Sequence, residues 1–406
     1  MLKKDKADIE AERMLKIEMD NAKRQRIVDI TLISVCCAFI LILGILIFIK
    51  PQQSFSEEEN RSLVTFPQFS IDDILDGSFT GDIGKFYSDQ FPFRDALVGV
   101  KGMTELALLK QENNGVILAS DGHLVKRLEY TADDEVQLKK NLEYISSFVS
   151  KMNENGIACT VAIAPRSIDI VRNKLPDNFA FDRADAIWSV IDDCELDVVR
   201  FEQELLSAAN NNEYVWFKTD HHWTARGAYI AYEKLSVLLG YEAMKNNFQY
   251  ETVSTSFLGT TYSSSGMKWA LPDTIELMRY DGDTDFTVIN KTGNSSLEGL
   301  YDFSYLSTKD QYSVFIGGVN GHVSVIQTAD NSTRRPKMLL IKDSFAHSIV
   351  PFLANHYDIE VIDLRYYRDS LSKYINENSF DSILILYGLD TLVTDDNVRR
   401  FTYGLN

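Results

Sequence analysis

Residues 27–49 read IVDITLISVCCAFILILGILIFI, an apolar run of 23 residues with a single charge, Asp29, near its start. A helix needs roughly 20 apolar residues to cross the hydrocarbon core of a bilayer, so the run predicts a transmembrane helix. A cleaved signal peptide has a shorter apolar region, roughly 7–15 residues, that ends in small residues. This run instead ends in Phe48-Ile49-Lys50-Pro51, and the expectation is a retained anchor. Lys23, Arg24 and Arg26 flank its N-terminal side, with Lys3, Lys4 and Lys6 upstream. The positive-inside rule then predicts a cytoplasmic tail over 1–26, a membrane span over 27–49, a linker over 50–70 and an extracytoplasmic domain over 71–406. The expected location is the cell membrane, single-pass, with the main domain outside.

What remains is long enough to bury a large core: the chain has 406 residues, 45% hydrophobic and 25% charged. The tail holds eight Lys/Arg against six Asp/Glu, so it carries +2; the whole chain carries −18, which leaves −20 on the remainder. An acidic body excludes nucleic acid as a partner, because phosphate binding needs clustered Lys and Arg. Cys36 and Cys37 lie in the apolar run. Cys159 and Cys194 form no CxxC pair, so no structural zinc site is expected. Whether they form a disulfide stays open.

Along the outer domain, residues 77–109 predict a helix interrupted at Pro92, and 116–125 a hairpin around Asp121-Gly122. Leu138, Leu142, Ile145, Val149 and Met152 recur at helical spacing, predicting a helix over about 134–153 stopped by Gly156. Alternation follows. Strands are expected at 157–164, 198–200, 215–218, 337–342, 359–364 and 383–387, and helices at 225–239, 345–354 and 370–376. Residues 245–335, rich in Thr, Ser, Gly and Asn, predict a β-rich insertion. Apolar strands alternating with helices indicate a parallel sheet covered on both faces.

Two motifs carry chemistry. The first, Thr219-Asp220-His221-His222-Trp223-Thr224, lies between an expected strand and an expected helix, at the sheet edge where ligands bind in open α/β folds. An Asp beside a His can orient the imidazole and stabilise the imidazolium that forms when His acts as a base. The same residues could equally be an Asp helix cap with packed histidines. A metal site from Asp220, His221 and His222 is not expected, since no further ligand has a known zinc spacing. The second motif, Lys342-Asp343-Ser344-Phe345, puts a Ser at a strand-to-helix turn, where helix N–H groups can hold an oxyanion. Ser344 could also simply cap the helix. Together the two motifs would bring Ser, His and Asp to one sheet edge, the triad constellation.

Asp-His-His-Trp followed far downstream by Lys-Asp-Ser-Phe resembles the DHHW family. That family is similar to the SGNH-hydrolase-like domain of the alginate O-acetyltransferases. Glu59-Asn60-Arg61, Phe66-Pro67, Asp89-Gln90-Phe91-Pro92-Phe93-Arg94-Asp95, Gly115-Val116 and Asp121-Gly122 resemble the family's N-terminal pattern. Pro351-Phe352-Leu353 and Ile362-Asp363-Leu364-Arg365-Tyr366-Tyr367 resemble the stretch after the nucleophile. Lys342 stands where the SGNH Gly-Asp-Ser block has Gly. The resemblance implies an α/β, SGNH-hydrolase-like (flavodoxin-like) fold, with Asp220, His222 and Ser344 as triad and His221 as spacer. It also implies acetyl transfer to an exported polysaccharide, with a multi-pass membrane O-acyltransferase as acyl donor.

The expected function is therefore an O-acyl (acetyl) transferase or esterase acting on a cell-envelope polysaccharide. Ser344 would be nucleophile, His222 base and Asp220 the orienting carboxylate, with no cofactor and no metal. Arg365 and Tyr387 end neighbouring strands and, with His221, could line the substrate or oxyanion site. A non-catalytic glycan-binding or scaffolding protein on the same fold is the alternative.

Overall fold

The computed structural model describes residues 6–177, 184–245, 248–328 and 334–404. Lys3 and Lys4 of the tail, and residues 246–247 and 329–333 of the expected insertion, lie outside these. The chain divides into two compact units, residues 1–98 and 99–406.

In the first unit, helix α1 (Lys6–Ile49) runs without a break through tail and apolar segment. At 1.5 Å per residue its 44 residues extend about 66 Å. Its apolar side chains are exposed almost all round, the pattern of a helix whose surroundings are themselves apolar. Among the described residues it is the one helix long and apolar enough to cross a membrane, which is compatible with a single-pass anchor. Two short helices follow, α2 (Ile71–Leu75) and α3 (Ser78–Asp89). The helical pattern over 77–109 breaks at Pro92 as expected and resumes as α4 (Arg94–Ala107), which begins in the first unit and continues into the second.

The second unit is built on an eight-stranded sheet. In chain order its strands are β1 (Ala158–Ala164), β2 (Val198–Arg200), β3 (Phe286–Asn290), β4 (Ser295–Glu298), β5 (His322–Gln327), β6 (Lys337–Lys342), β7 (Asp358–Ile362) and β8 (Ser382–Gly388). The spatial order is β4-β3-β5-β7-β6-β8-β1-β2. The five strands from β7 to β2 are parallel, with Leu340 of β6 opposite Val361 of β7 and Leu384 of β8. Strands β5, β3 and β4 continue the sheet antiparallel beyond β7. The 245–335 stretch is thus β-rich, and three of its strands widen the main sheet. A further pair, Gln249–Phe257 with Asp273–Arg279, forms a separate hairpin.

Side chains alternate across the parallel strands, so each strand feeds both faces. Met338 and Leu340 enter one core with Phe201, Trp216, Tyr232 and Phe352. Leu339 and Ile341 enter the other with Leu138, Phe148 and Phe401. The helix at Ala132–Glu154 covers the second face, its start fixed by a capping box between Thr131 and Asp134. Cys159 and Cys194 are both free thiols, and burial pushes the Cys159 thiol up to about 12.

Two local expectations change. Residues 215–218 are not a sheet strand. They make one isolated bridge, Trp216 with Trp223, as the chain folds back on itself. The run looks strand-like because Val215, Trp216 and Phe217 are buried, but they are buried by aromatic packing and not by a ladder. The helix expected at 345–354 is instead a 3₁₀ turn at Ser344–Ser348 and a short α turn at Val350–Leu353, which Pro351 helps to start.

Candidate active site

The second unit brings Asp220, His222 and Ser344 together. His222 Nδ1 lies 2.5 Å from Asp220 Oδ1, and His222 Nε2 lies 2.7 Å from Ser344 Oγ. An ionised carboxylate only accepts, so Nδ1 carries the proton and Nε2 is left to accept from the serine hydroxyl. The two motifs are 122 residues apart in sequence, so the meeting is made by the fold.

Asp220 has every lone-pair direction occupied. Oδ1 also accepts the His222 backbone N–H at 3.0 Å, and Oδ2 accepts the Thr260 N–H at 2.7 Å and the Thr260 hydroxyl at 3.0 Å. Burial pushes this carboxyl up, but the adjacent His222 and His221 rings and these hydrogen bonds outweigh it. They hold the group well below the ordinary carboxylate range. Thr260 gave no sequence signal. It comes close because Gly259 before it has no side chain: a Cβ there would fall within the Asp220 carboxylate.

The approach to the motif is fixed by a second buried acid that sequence reasoning missed. Asp273, at the start of the second strand of the separate pair, accepts the backbone N–H of Lys218 at 2.9 Å and of Thr219 at 2.7 Å. It also accepts the Thr219 hydroxyl at 2.5 Å and pairs with the Tyr214 hydroxyl. This clamp takes the place of the strand expected at 215–218.

The ring of His222 is held from both faces. Tyr312 stacks on it at 4.0 Å with an interplanar angle of 6°, and the tilted ring of His221 lies 3.8 Å away on centroids. His221 itself turns to Thr260, its Nδ1 2.5 Å from the Thr260 hydroxyl. Asp220, His221 and His222 lie close enough to share a cation, with one ligand atom of each inside a 4.8 Å group. Both ring nitrogens of His222 and Nδ1 of His221 already have hydrogen-bond partners, so the cluster reads as a hydrogen-bonded relay.

Ser344 opens its turn, so its N–H has no acceptor within the turn. Asp343 shapes that turn: its carboxylate accepts the Phe345 N–H at 2.9 Å and the Gly388 N–H at 2.8 Å, tying β6 to the end of β8. Ser344 is only partly buried, whereas His222 and Asp220 are buried. The serine is therefore the reachable atom of the three.

The Arg365 guanidinium forks onto Asp363, at 2.9 and 2.7 Å. Asp363 in turn meets the buried Lys342 ammonium at 3.3 Å, and Lys342 Nζ lies 2.7 Å from His347 Nε2. Burial pushes the Lys342 and His347 pKa values down, and the cations around Asp363 hold its carboxyl low against burial. Lys342 is thus held in a buried polar cluster behind the turn. Tyr387 packs with Ile383 and Ile385 on the opposite face of the sheet, its hydroxyl buried. No hydrogen bond among the described residues joins it to Ser344 or His222.

The model of the DHHW protein family matches residues 59–159 and 156–362, most of the chain. The chain belongs to the DHHW family. A DHHW family protein from Eubacterium siraeum DSM 15702 superposes with a TM-score of 0.56 at 22% identity, over 71% of this chain and 95% of that one. Bacillus cereus PatB1 gives 0.58 at 17% identity, over 71% and 99%. These neighbours share the α/β fold of this chain. By sequence, the chain is 24% identical over 188 residues to the probable alginate O-acetylase AlgJ of Pseudomonas syringae pv. tomato. That match spans 45% of this chain and about half, 48%, of the relative. In this DHHW protein each letter of the signature has a place: Asp220 holds His222, His222 meets Ser344, His221 packs between His222 and Thr260, and Trp223 bonds the turn that carries Ser344.

Proposed function

We propose that this DHHW protein is a membrane-anchored O-acyl transferase, of acetyl groups in the first instance, acting on a polysaccharide of the cell envelope. The observation that carries the reading is the His222 imidazole set between Asp220 at 2.5 Å and Ser344 at 2.7 Å. The sequence likeness to an alginate O-acetylase supports the acetyl group and the polysaccharide acceptor.

In this reading Ser344 Oγ attacks the acyl carbonyl while its proton passes to His222 Nε2. Asp220 holds the imidazole in the Nδ1–H tautomer and stabilises the imidazolium. The Ser344 N–H takes the oxyanion. Collapse expels the donor's leaving group, which takes the proton from His222, and an acyl-serine remains. A sugar hydroxyl then gives its proton to His222 and attacks the ester; the ester C–O bond breaks and His222 returns the proton to Ser344 Oγ, while water in place of the sugar gives esterase activity. A multi-pass membrane O-acyltransferase would present the acyl donor on the outer side of the bilayer.

Hydrolysis of a small aryl acetate by the full chain, with Ser344→Ala as control, tests the nucleophile. Loss of turnover in the variant is expected, and unchanged turnover rules the assignment out. For the anchor, an alkaline phosphatase fusion after residue 404 should be active only if the domain lies outside the cytoplasm.

A further inference from the structure

The surface left unused by this chemistry lies in the first unit, where the chain leaves α1. Ile47 is buried there, and the Phe48 ring meets Tyr87 of α3 edge to face at 6.2 Å. The segment after α1 is tied to the same end of α3. Gln53 donates its N–H to the Gln90 side-chain oxygen at 3.1 Å and accepts from the Gln90 amide at 2.8 Å. That amide also donates to the Val64 carbonyl at 3.0 Å, and Asp89 accepts the Val64 N–H at 2.9 Å. Arg61 closes on Asp89 at 2.6 and 3.0 Å. The C-terminal end of α3 is therefore held one side chain away from the last turn of α1.

As a helix, residues 27–49 extend about 34 Å, against a hydrocarbon core of about 30 Å. Phe48 and Tyr87 then stand at the boundary level, where aromatic rings concentrate. Beside them lies an apolar surface without cover. Phe66 is 47% exposed, Phe69 72%, Ile71 68%, Ile74 45% and Leu75 80%. Phe66 and Phe69 each lean one side of the ring on α3, against Phe86 at 5.2 Å and Phe79 at 6.0 Å. Ile71, Ile74 and Leu75 stand at i, i+3 and i+4 of α2 and share one side, which leaves Asp72 and Asp73 on the other. A lone exposed apolar residue is ordinary. Five within ten residues, continuous with a helix fit to cross a bilayer, form a patch that needs an occupant.

We propose that residues 66–75 dock on the lipid surface, their apolar side chains entering the headgroup boundary of the leaflet from which α1 emerges. The inference rests on the reading of residues 27–49 as a membrane anchor. Lipid is the occupant because the patch is joined, through Tyr87 and Phe48, to the lipid-facing helix itself. The sidedness of α2 agrees, since its carboxylates turn away from the apolar face and so from the acyl chains. Amphipathic segments of this kind sit roughly 5–10 Å into the headgroup boundary. The chain then holds the bilayer at two points, the spanning helix and this collar.

The test places the photo-crosslinker p-benzoylphenylalanine at Phe69 or Ile74 of the full chain. The protein is reconstituted in vesicles of phosphatidylcholine and phosphatidylglycerol, with Val237, 84% exposed on the second unit, as control site. Lipid adducts at 69 and 74 about ten-fold above those at 237 are expected for side chains at headgroup depth. Yields equal to the control overturn the proposal, as do cross-links to protein in place of lipid, which would assign the patch to a partner or a second copy. Alkaline carbonate extraction of the same vesicles separates the two readings. A chain that washes off defeats the anchor. A chain that stays but carries no adduct at 69 or 74 defeats the collar alone.

Discussion

Trp223 and Phe345 are joined twice: the indole N–H donates to the Phe345 carbonyl at 3.0 Å, and the two rings meet edge to face at 5.4 Å and 90°. The same N–H reaches Ser348 Oγ at 3.0 Å. The last residue of the Asp-His-His-Trp motif thereby grips the turn that presents Ser344. Trp223→Phe keeps an aromatic ring but removes the N–H that serves the Phe345 carbonyl and the Ser348 hydroxyl, at a cost of about 1–3 kcal/mol. Denaturant unfolding should show that loss, and aryl acetate turnover should fall even where the variant is fully folded.

Ser344→Ala and His222→Ala should each remove most of the acyl transfer, and the double variant should be little worse than either. Residues that act as one unit are non-additive in this way. A serine-directed sulfonyl fluoride followed by peptide mapping should label Ser344 in the wild type. Labelling at another residue, or additive losses in the double variant, would refute the assignment.

Asp220→Asn should be nearly as damaging as loss of the histidine. The amide NH₂ would have to face either His222 or the two Thr260 donors, and either arrangement sets a donor against a donor. Thr260→Val removes the hydroxyl but keeps the backbone N–H, so its effect should be smaller, about ten-fold or less in kcat. Gly259→Ala should behave like Asp220→Asn in activity, because its Cβ displaces the carboxylate.

Stability should depend on acid through Glu360, outside the candidate site. Burial pushes this carboxyl up, but His322 at 2.9 Å, Ser324 at 2.6 Å and Lys337 at 3.4 Å more than offset it, and it sits at about 2. A carboxyl lowered in the folded state stabilises at pH values above its unfolded value of about 4.5. That contribution, on the order of 2 kcal/mol, is lost as the pH falls from about 4.5 towards 2. Urea midpoints of wild type and Glu360→Gln should therefore differ at pH 6 and converge near pH 2. A constant difference across that range would contradict the argument.

Local patterns carried much of this protein. The apolar run at 27–49, the 3.6-residue spacing over 138–152 and the continuous apolar strands β1, β6 and β8 each declare themselves within a dozen or so neighbours, because burial there follows helix or strand period. Asp220, His222 and Ser344 stood out as short polar motifs beside apolar runs, and the fold brings them into hydrogen-bond contact. The tertiary structure decided the rest. Thr260 reaches Asp220 across 40 residues, Asp273 reaches Thr219 across 54, and Tyr312 stacks on His222 from a segment with no period of its own. It also made residues 215–218 a clamped loop where their composition reads as a strand, and turned Arg365 onto Asp363 and Tyr387 to the far face. A hydrogen-bond partner is chosen by which groups packing leaves within 3 Å and out of water, and that choice has no periodic trace in the chain.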